Sequence, residues 1–585
     1  MSSAESVGNI GSTGKVSTST DMIMERDVGI PMDDGLTLRA DVFRPKGGEK
    51  VPVIMNLGPY NKGLRYQEGY APEWKRLIEA HPEILEGSSC SYMTWETVDP
   101  ERWVPNGYAV VRVDSRGAGR SPGYLDLYSP REVHDYYIAI EWAASQSWCS
   151  GKVGLLGISY YAINQWLVAS LQPPHLAAIL PWEGASDHYR DMTHHGGILS
   201  NGFQESWYSR RLLPRQHGKG ANSATDPWLK EPAAGPETLT EEQLELNRAD
   251  YLNDIKKHNL DDEFHRVRSP DFSKITVPLM SSGNWGGLGL HNRGNFEGFV
   301  CSASAKKWLS VHPGRHEEYF YLPYGLDLQR RFFDYFLKGI DNGWDRESRV
   351  LLTIRHVDRF EERKENEWPL ARTVWTKSYL VTHDRTLSWD APSPNDTLSF
   401  EADGDGVNFI SQPLSRETEI TGPIGAKLYV SSSTTDADLF LTFRAFNHEG
   451  EEVVFQGANE TRAPLSQGWL RASHRKIDRA FSKPYRPYHP HDEILRVEPW
   501  TEYELEVELW PTCIVLPKGY RIALTVGGQD FARSESKEQH KGSGPFLHND
   551  PDDRGSPAFH GTTKIHTGTE NPSFLLLPIV PNQNR

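Results

Sequence analysis

One twenty-residue stretch restricts what this chain can become. Lys152–Leu171 reads K-V-G-L-L-G-I-S-Y-Y-A-I-N-Q-W-L-V-A-S-L. A short apolar run (Val153, Leu155, Leu156) reaches Gly157, Ser159 follows, and Ile163, Trp166, Leu167 and Leu171 then recur at helical spacing. Strand, tight turn and helix with a serine at the turn is the pattern of a nucleophile elbow. It lifts the serine hydroxyl above a sheet edge and aims the helix N-terminus, beginning with the Tyr160 N–H, at the same point. The generic form asks for glycine two residues after the serine, where this chain has Tyr161.

The flanking pattern supplies the sheet such an elbow needs. Met24–Met32 and Leu36–Phe43 read as a hairpin around Asp33-Asp34-Gly35. Apolar strands follow at Val51–Leu57, Tyr108–Val113, 153–156 and Leu176–Pro181, with a helix at Arg131–Gln146 and an insertion at 63–100 containing a helix near Ala71–Ala80. Alternating strands and helices imply a parallel sheet, whose ligands bind past the carboxyl ends of the strands. Tyr60, Ser159 and Glu183 fall just past such ends.

From 187 to 270 the pattern turns polar, with helical pieces at Leu239–Asn259, as expected of a cap inserted into the sheet domain. Strands resume at Val277–Ser281 and Lys307–Val311, and Leu326–Lys338 is an amphipathic helix stopped by Gly339. Beyond 349 short strand-like runs between turns, including Val350–His356, suggest a β-sandwich or jelly roll. The expected organisation is therefore α/β. A polar, disordered tail (1–20) precedes an α/β-hydrolase domain in two parts (21–186 and 271–348), a helical cap at 187–270 and an all-β jelly-roll domain at 349–585.

A formal net charge of −16 disfavours nucleic acid and anionic membranes as partners. No apolar run approaches about 18 residues, and the N-terminus lacks a signal-peptide core. The four cysteines are far apart, without metal-ligand spacing. A cytoplasmic protein is expected, and the β-sandwich is its candidate surface for a homodimer.

Several blocks together resemble the CocE/NonD hydrolases, the bacterial cocaine esterase group within the X-Pro dipeptidyl-peptidase superfamily. Their elbow is G-x-S-Y-x-G. Gly157, Ser159 and Tyr160 match it, and Ala162 stands for the last glycine. Asp114–Gly123 (D-S-R-G-A-G-R-S-P-G) resembles the family's D-x-R-G-x-G-x-S-x-G loop, and Glu141–Val153 the helix and turn feeding its elbow. Gly58-Pro59-Tyr60 resembles its N-P-Y, and 421–430 (T-G-P-I-G-A-K-L-Y-V) the start of its jelly roll. The five blocks are in register across roughly residues 25–580. The resemblance implies an α/β-hydrolase with inserted cap and C-terminal jelly roll, acting on a small-molecule ester or amide without metal or organic cofactor.

It also implies site residues. Ser159 is the expected nucleophile and His316, in V-H-P-G-R-H (311–316), the expected base, with His312 as its rival. His194, His195 and His291 are expected at the surface or in the cap, with His291 a candidate to line the pocket. The oxyanion would be held by the Tyr160 N–H and the Tyr60 hydroxyl, a donor of a kind that stabilises such a charge by roughly 2.7–4 kcal/mol. The chain departs from the family at the acid. The usual G-x-W-x-D reads Gly283-Asn284-Trp285-Gly286-Gly287 here, and a glycine cannot orient an imidazole. Glu183, at the end of the preceding strand, is the expected replacement; Asp187, Glu297 and Glu317 are its rivals. The expected reaction is hydrolysis through an acyl-enzyme. Transfer of the acyl group to a small-molecule acceptor by the same residues is the alternative, and a non-catalytic binding protein a third reading.

Overall fold

The structure is a computed structural model that describes residues 22–392, 394–533 and 544–581, together with the backbone of 7–9 and 15–18. Its first unit is one large mixed sheet. The strands are β1 (Val7–Asn9), β2 (Lys15–Thr18), β3 (Met22–Pro31), β4 (Thr37–Pro45), β5 (Val51–Gly58), β6 (Ala109–Asp114), β7 (Cys149–Ile158) and β8 (Leu176–Trp182). Two short strands, β9 (His194–His195) and β10 (Ile198–Leu199), pair only with each other, in the cap. The sheet continues with β11 (Leu279–Asn284), β12 (Lys307–His312), β13 (Val350–Arg355) and β14 (Phe360–Glu365). Its spatial order is β1-β2-β3-β4-β6-β5-β7-β8-β11-β12-β13-β14, parallel from β6 to β13.

The parallel strands are apolar on both faces because helices cover both. On β7, Val153 and Leu155 belong to one core with Val53, Met55 and Leu57 of β5 and with Tyr136, Ile163 and Trp166 of the helices Pro130–Ser145 and Tyr160–Ala169. Leu156 and Ile158 point into the opposite core, against Phe332 and Phe333 of the helix Pro323–Phe333. This two-residue alternation within a continuous apolar run is what a doubly covered sheet requires. The last helix continues as a wider turn over Asp334–Lys338 and stops at Gly339, whose φ of 72° only glycine adopts without strain.

Two sequence expectations need correction. The sequence pattern places the strand at 350–356 in the all-β domain from residue 349 onward. Instead β13 pairs with β12 and β14 with β13, so the α/β sheet runs on to Glu365. Local periodicity shows that a segment is a strand, but the choice of sheet is made by its neighbours. The expected disordered tail is also not uniform. Residues 7–9 and 15–18 are strands that extend the sheet from the β3 edge, where unpaired backbone groups offer hydrogen bonds to any passing strand. The rest of that tail lies outside the described residues.

Residues 183–278, between β8 and β11, form the cap, with short helices at Asn201–Trp207, Glu241–Leu246 and Tyr251–Lys257. The C-terminal unit is all β. Its strand Thr418–Ser432 pairs with Tyr503–Leu516 and also with Phe574–Val580, which closes the sheet around a core including Leu428, Phe443, Leu509 and Leu524. An apolar seam joins the units: Trp285, Phe296, Leu309 and Leu352 pack with Cys513 and Val515. Among the described residues no helix is long and apolar enough to cross a membrane.

Candidate active site

The sheet gathers the singled-out residues along one edge. Tyr60 follows β5, Ser159 follows β7, Glu183 follows β8 and His316 follows β12 by four residues. Ser159 has φ 58° and ψ −115°, a conformation that non-glycine residues avoid and that sharp elbows impose. Its N–H is anchored to the carbonyls of Trp182 and Glu183, both at 3.1 Å. Its own carbonyl accepts from the Ala162 and Ile163 N–H groups, each at 2.8 Å. The amides of Tyr160 and Tyr161, first in the helix, have no carbonyl one turn earlier in that helix to accept them.

The departures from the generic elbow have local steric counterparts. A Cβ on Gly58 would come within 2.5 Å of the Tyr161 ring, so glycine at 58 makes room for the tyrosine that replaces the usual glycine. A Cβ on Gly184 would lie 2.7 Å from the Ala162 methyl, so the bulk gained at 162 is met by its absence at 184.

The two tyrosines expected at the oxyanion site are fixed from outside. Tyr60 is buried, edge-on to Tyr160 and Tyr161, and its hydroxyl oxygen accepts from Trp207 Nε1 of the cap at 2.8 Å. That bond leaves the Tyr60 proton available for donation. Burial, reinforced by Glu96, holds the phenol well above its ordinary pKa, so the proton stays on. The Tyr160 hydroxyl donates to the carboxylate of Glu132, 2.7 and 2.8 Å from its two oxygens. Burial pushes that carboxyl up to about 7.

His316 sits between two carboxylates. Nδ1 is 2.8 Å from Glu183 Oε2 and Nε2 is 2.9 Å from Glu96 Oε1. Its ring stacks on His291 (centroids 5.3 Å apart), and its N–H donates to Ala458 O of the all-β domain at 3.3 Å. Ala458 N in turn donates to Gly286 O at 3.1 Å. Burial works against a charged imidazole, but Glu183 and Glu96 more than offset it, and His316 titrates well above its usual range. Glu183 is fully buried with φ 48°; its N–H donates to Ser282 O at 2.7 Å, and its Oε1 accepts from Asn284 Nδ2 at 3.0 Å.

Two of the rival acids are engaged elsewhere. Asp187 pairs with Arg190 at 2.9 Å and Glu297 with Arg486. Glu317 lines the cavity, with its carboxyl pushed up by burial to about 7, and forms no hydrogen bond or ion pair with His316 among the described residues. His312 ends β12, stacked between Trp182 and Tyr319, with Nε2 3.6 Å from Glu183 Oε1. His194 and His195 are in the cap but buried, the latter 2.8 Å from His548. Gly287, at the family's acid position, accepts through its carbonyl from the His291 and Asn292 N–H groups, at 3.2 and 3.0 Å. Among the described residues no three His, Cys, Asp or Glu side chains converge on a possible metal site.

Ser159, His316, Glu96 and Tyr60 line a cavity of about 320 Å³, walled by Tyr70, Trp95, Phe203, Trp207, Leu290 and His291. Sequence reasoning missed Glu96 and Trp207. Both come from segments with no motif, and the only local oddity at Glu96 is a φ of 62°, invisible without coordinates. A buried serine, a histidine backed by a carboxylate, and two donors at a helix start are the parts needed to attack a carbonyl and hold the resulting oxyanion.

Fold and site together define an α/β-hydrolase of the serine type. Residues 34–318 match the family model of the X-Pro dipeptidyl-peptidases (S15 family), and 342–576 match the X-Pro dipeptidyl-peptidase C-terminal non-catalytic domain. The crystal structure of a CocE/NonD family hydrolase from Staphylococcus aureus superimposes with a TM-score of 0.82 at 32% identity, covering 99% of this chain and 96% of that one. The chain is also 24% identical to the cocaine esterase of a Rhodococcus species (95% of this chain, 98% of that protein). It is 23% identical to a putative serine esterase of Mycobacterium tuberculosis (86% and 90%). The chain belongs to the CocE/NonD family of the X-Pro dipeptidyl-peptidase-like serine hydrolases.

Proposed function

We propose that the chain cleaves an ester or amide through an acyl-enzyme on Ser159, with His316 as base and Glu183 as the carboxylate that orients it. The observation that carries this reading is the 2.8 Å contact between Glu183 Oε2 and His316 Nδ1, in the cavity that Ser159 lines. Glu183 selects the tautomer with its proton on Nδ1, which leaves the Nε2 lone pair free to take the serine proton once Glu96 releases it. Ser159 Oγ attacks the carbonyl carbon, and the Tyr160 N–H and Tyr60 O–H receive the negative oxygen. The imidazolium then protonates the leaving group, and the acyl-serine is hydrolysed by water activated at the same Nε2.

Transfer of the acyl group to an alcohol or amine in place of water would use the same side chains; product analysis with added acceptors distinguishes it. The primary test is active-site labelling. A fluorophosphonate should label the wild type at Ser159 and leave Ser159→Ala unlabelled. Equal labelling of the two proteins, or none of the wild type, would remove the reading.

A further inference from the structure

The mouth of the cavity carries a charge pattern that the cleavage chemistry does not use. Four arginines line it: Arg76 from the helix Ala71–Ala80 in the 63–100 insertion, Arg210 and Arg211 from the cap, and Arg315 from the loop before His316. Three segments far apart in sequence thus bring four positive charges to a cavity whose lining carboxylates are three, Glu73, Glu96 and Glu317, in a chain whose net charge is −16. Like charges held at one opening repel unless anions lie between them.

Two of the four have protein anions. Arg211 donates to Glu73 at 2.6 Å while lying over the Tyr70 ring, and Arg315 is 3.6 Å from Glu318. Arg76 and Arg210 are exposed, and among the described residues neither forms an ion pair; the Arg76 charge acts on Glu317 without contact. The remaining carboxylates of the cavity do not fill the gap. Glu96 is engaged by His316, and burial keeps Glu317 titrating only at about 7, so it is incompletely ionised near neutrality. The same cavity has aromatic and aliphatic walls, Trp95, Phe203 and Leu290 among them, beside Ser159. A ligand matching this set of surfaces has a reactive carbonyl, an apolar body and an anionic far end.

Resting on the hydrolase reading above, we propose that the substrate is a carboxylate-bearing ester or amide, its anionic end held at the cavity mouth by Arg76 and Arg210. A guanidinium matches a carboxylate with paired N–H donors, and two guanidinium groups without ion-pair partners at an opening also attract an oppositely charged ligand.

The test uses two matched pairs of aryl esters. In one pair a glutarate aryl ester carries a free carboxylate and its twin the neutral methyl ester. In the other the carboxylate sits on the aryl group and its twin is the carboxamide. In at least one pair kcat/KM should favour the carboxylate by about tenfold or more at low salt, the scale of a hydrogen bond to a charged group. The preference should shrink at about 0.5 M salt. It should also fall several-fold in Arg76→Gln/Arg210→Gln, whose two side chains are exposed and form no hydrogen bond or ion pair among the described residues. Turnover of the neutral esters with no carboxylate preference in either pair would overturn the substrate class and leave the hydrolase reading standing. A preference that survives the double substitution would overturn the arginine assignment. No turnover of any ester, with no fluorophosphonate labelling, would bring down the hydrolase reading and this inference with it.

Discussion

Replacing Glu183 with glutamine isolates the charge that faces His316. The side chains are nearly isosteric, and the site is fully buried, so the amide occupies the same space between His316 Nδ1 and Asn284 Nδ2. Two losses follow. The imidazolium formed when Ser159 gives up its proton loses the anion at its Nδ1 side; at about 4 Å between charge centres and an effective dielectric of about 20 this is worth about 4 kcal/mol, or about 10³ in rate. The amide also offers either N–H or C=O to Nδ1. When it offers N–H, the imidazole carries its proton on Nε2 and cannot act as base, which moves the loss toward about 10⁴. Glu96 adds to the effect, because its carboxylate accepts a hydrogen bond from Nε2–H and so favours that same unproductive tautomer. The assay is kcat on an activated ester beside the second-order rate of fluorophosphonate labelling, with the thermal midpoint monitoring the fold. A folded Glu183→Gln protein with kcat within about threefold of wild type would refute the assignment.

Two further substitutions probe the same site. Glu96 favours protonated His316, so Glu96→Gln should lower the histidine pKa and increase the neutral fraction at any given pH; the acid limb of kcat/KM is expected to move to lower pH by roughly one to three pH units. An unmoved limb, or one displaced to higher pH, would mean that Glu96 does not restrain the base. Tyr60→Phe removes a hydroxyl proton without altering the ring and should lower kcat by about 10²–10³. Steady-state rates within about twofold of wild type would take Tyr60 out of the oxyanion site.

The parts of the molecule legible in its sequence are those fixed by local rules. The turn at Asp33-Asp34-Gly35, the stop at Gly339 and the apolar strands β5, β6 and β7 each write their structure into neighbouring residues. The elbow was also legible, because glycine, serine and tyrosine at 157, 159 and 160 are constrained by one tight turn. Even the departure at Gly287 was informative, since it directed attention to Glu183, which the fold brings against His316. What stayed hidden depends on partners remote in sequence. No local pattern assigns β13 to the sheet of β12 rather than to the all-β domain. Glu96 reaches His316 across 220 residues, and Trp207 reaches Tyr60 across 147, each from a segment with no periodic signal of its own.

The contact between His316 N and Ala458 O has a bearing on how this enzyme fails and how it can be rebuilt. The loop that carries the histidine rests on the all-β domain, which also supplies Asn459 and Pro545 to the cavity wall. A fragment ending after β14 would keep every reactive side chain and lose the floor beneath one of them. Heat or denaturant that loosens only the C-terminal unit would then silence the chemistry before the α/β sheet melts. Exchange of C-terminal units between relatives would, for the same reason, be an experiment on the active site as well as on solubility.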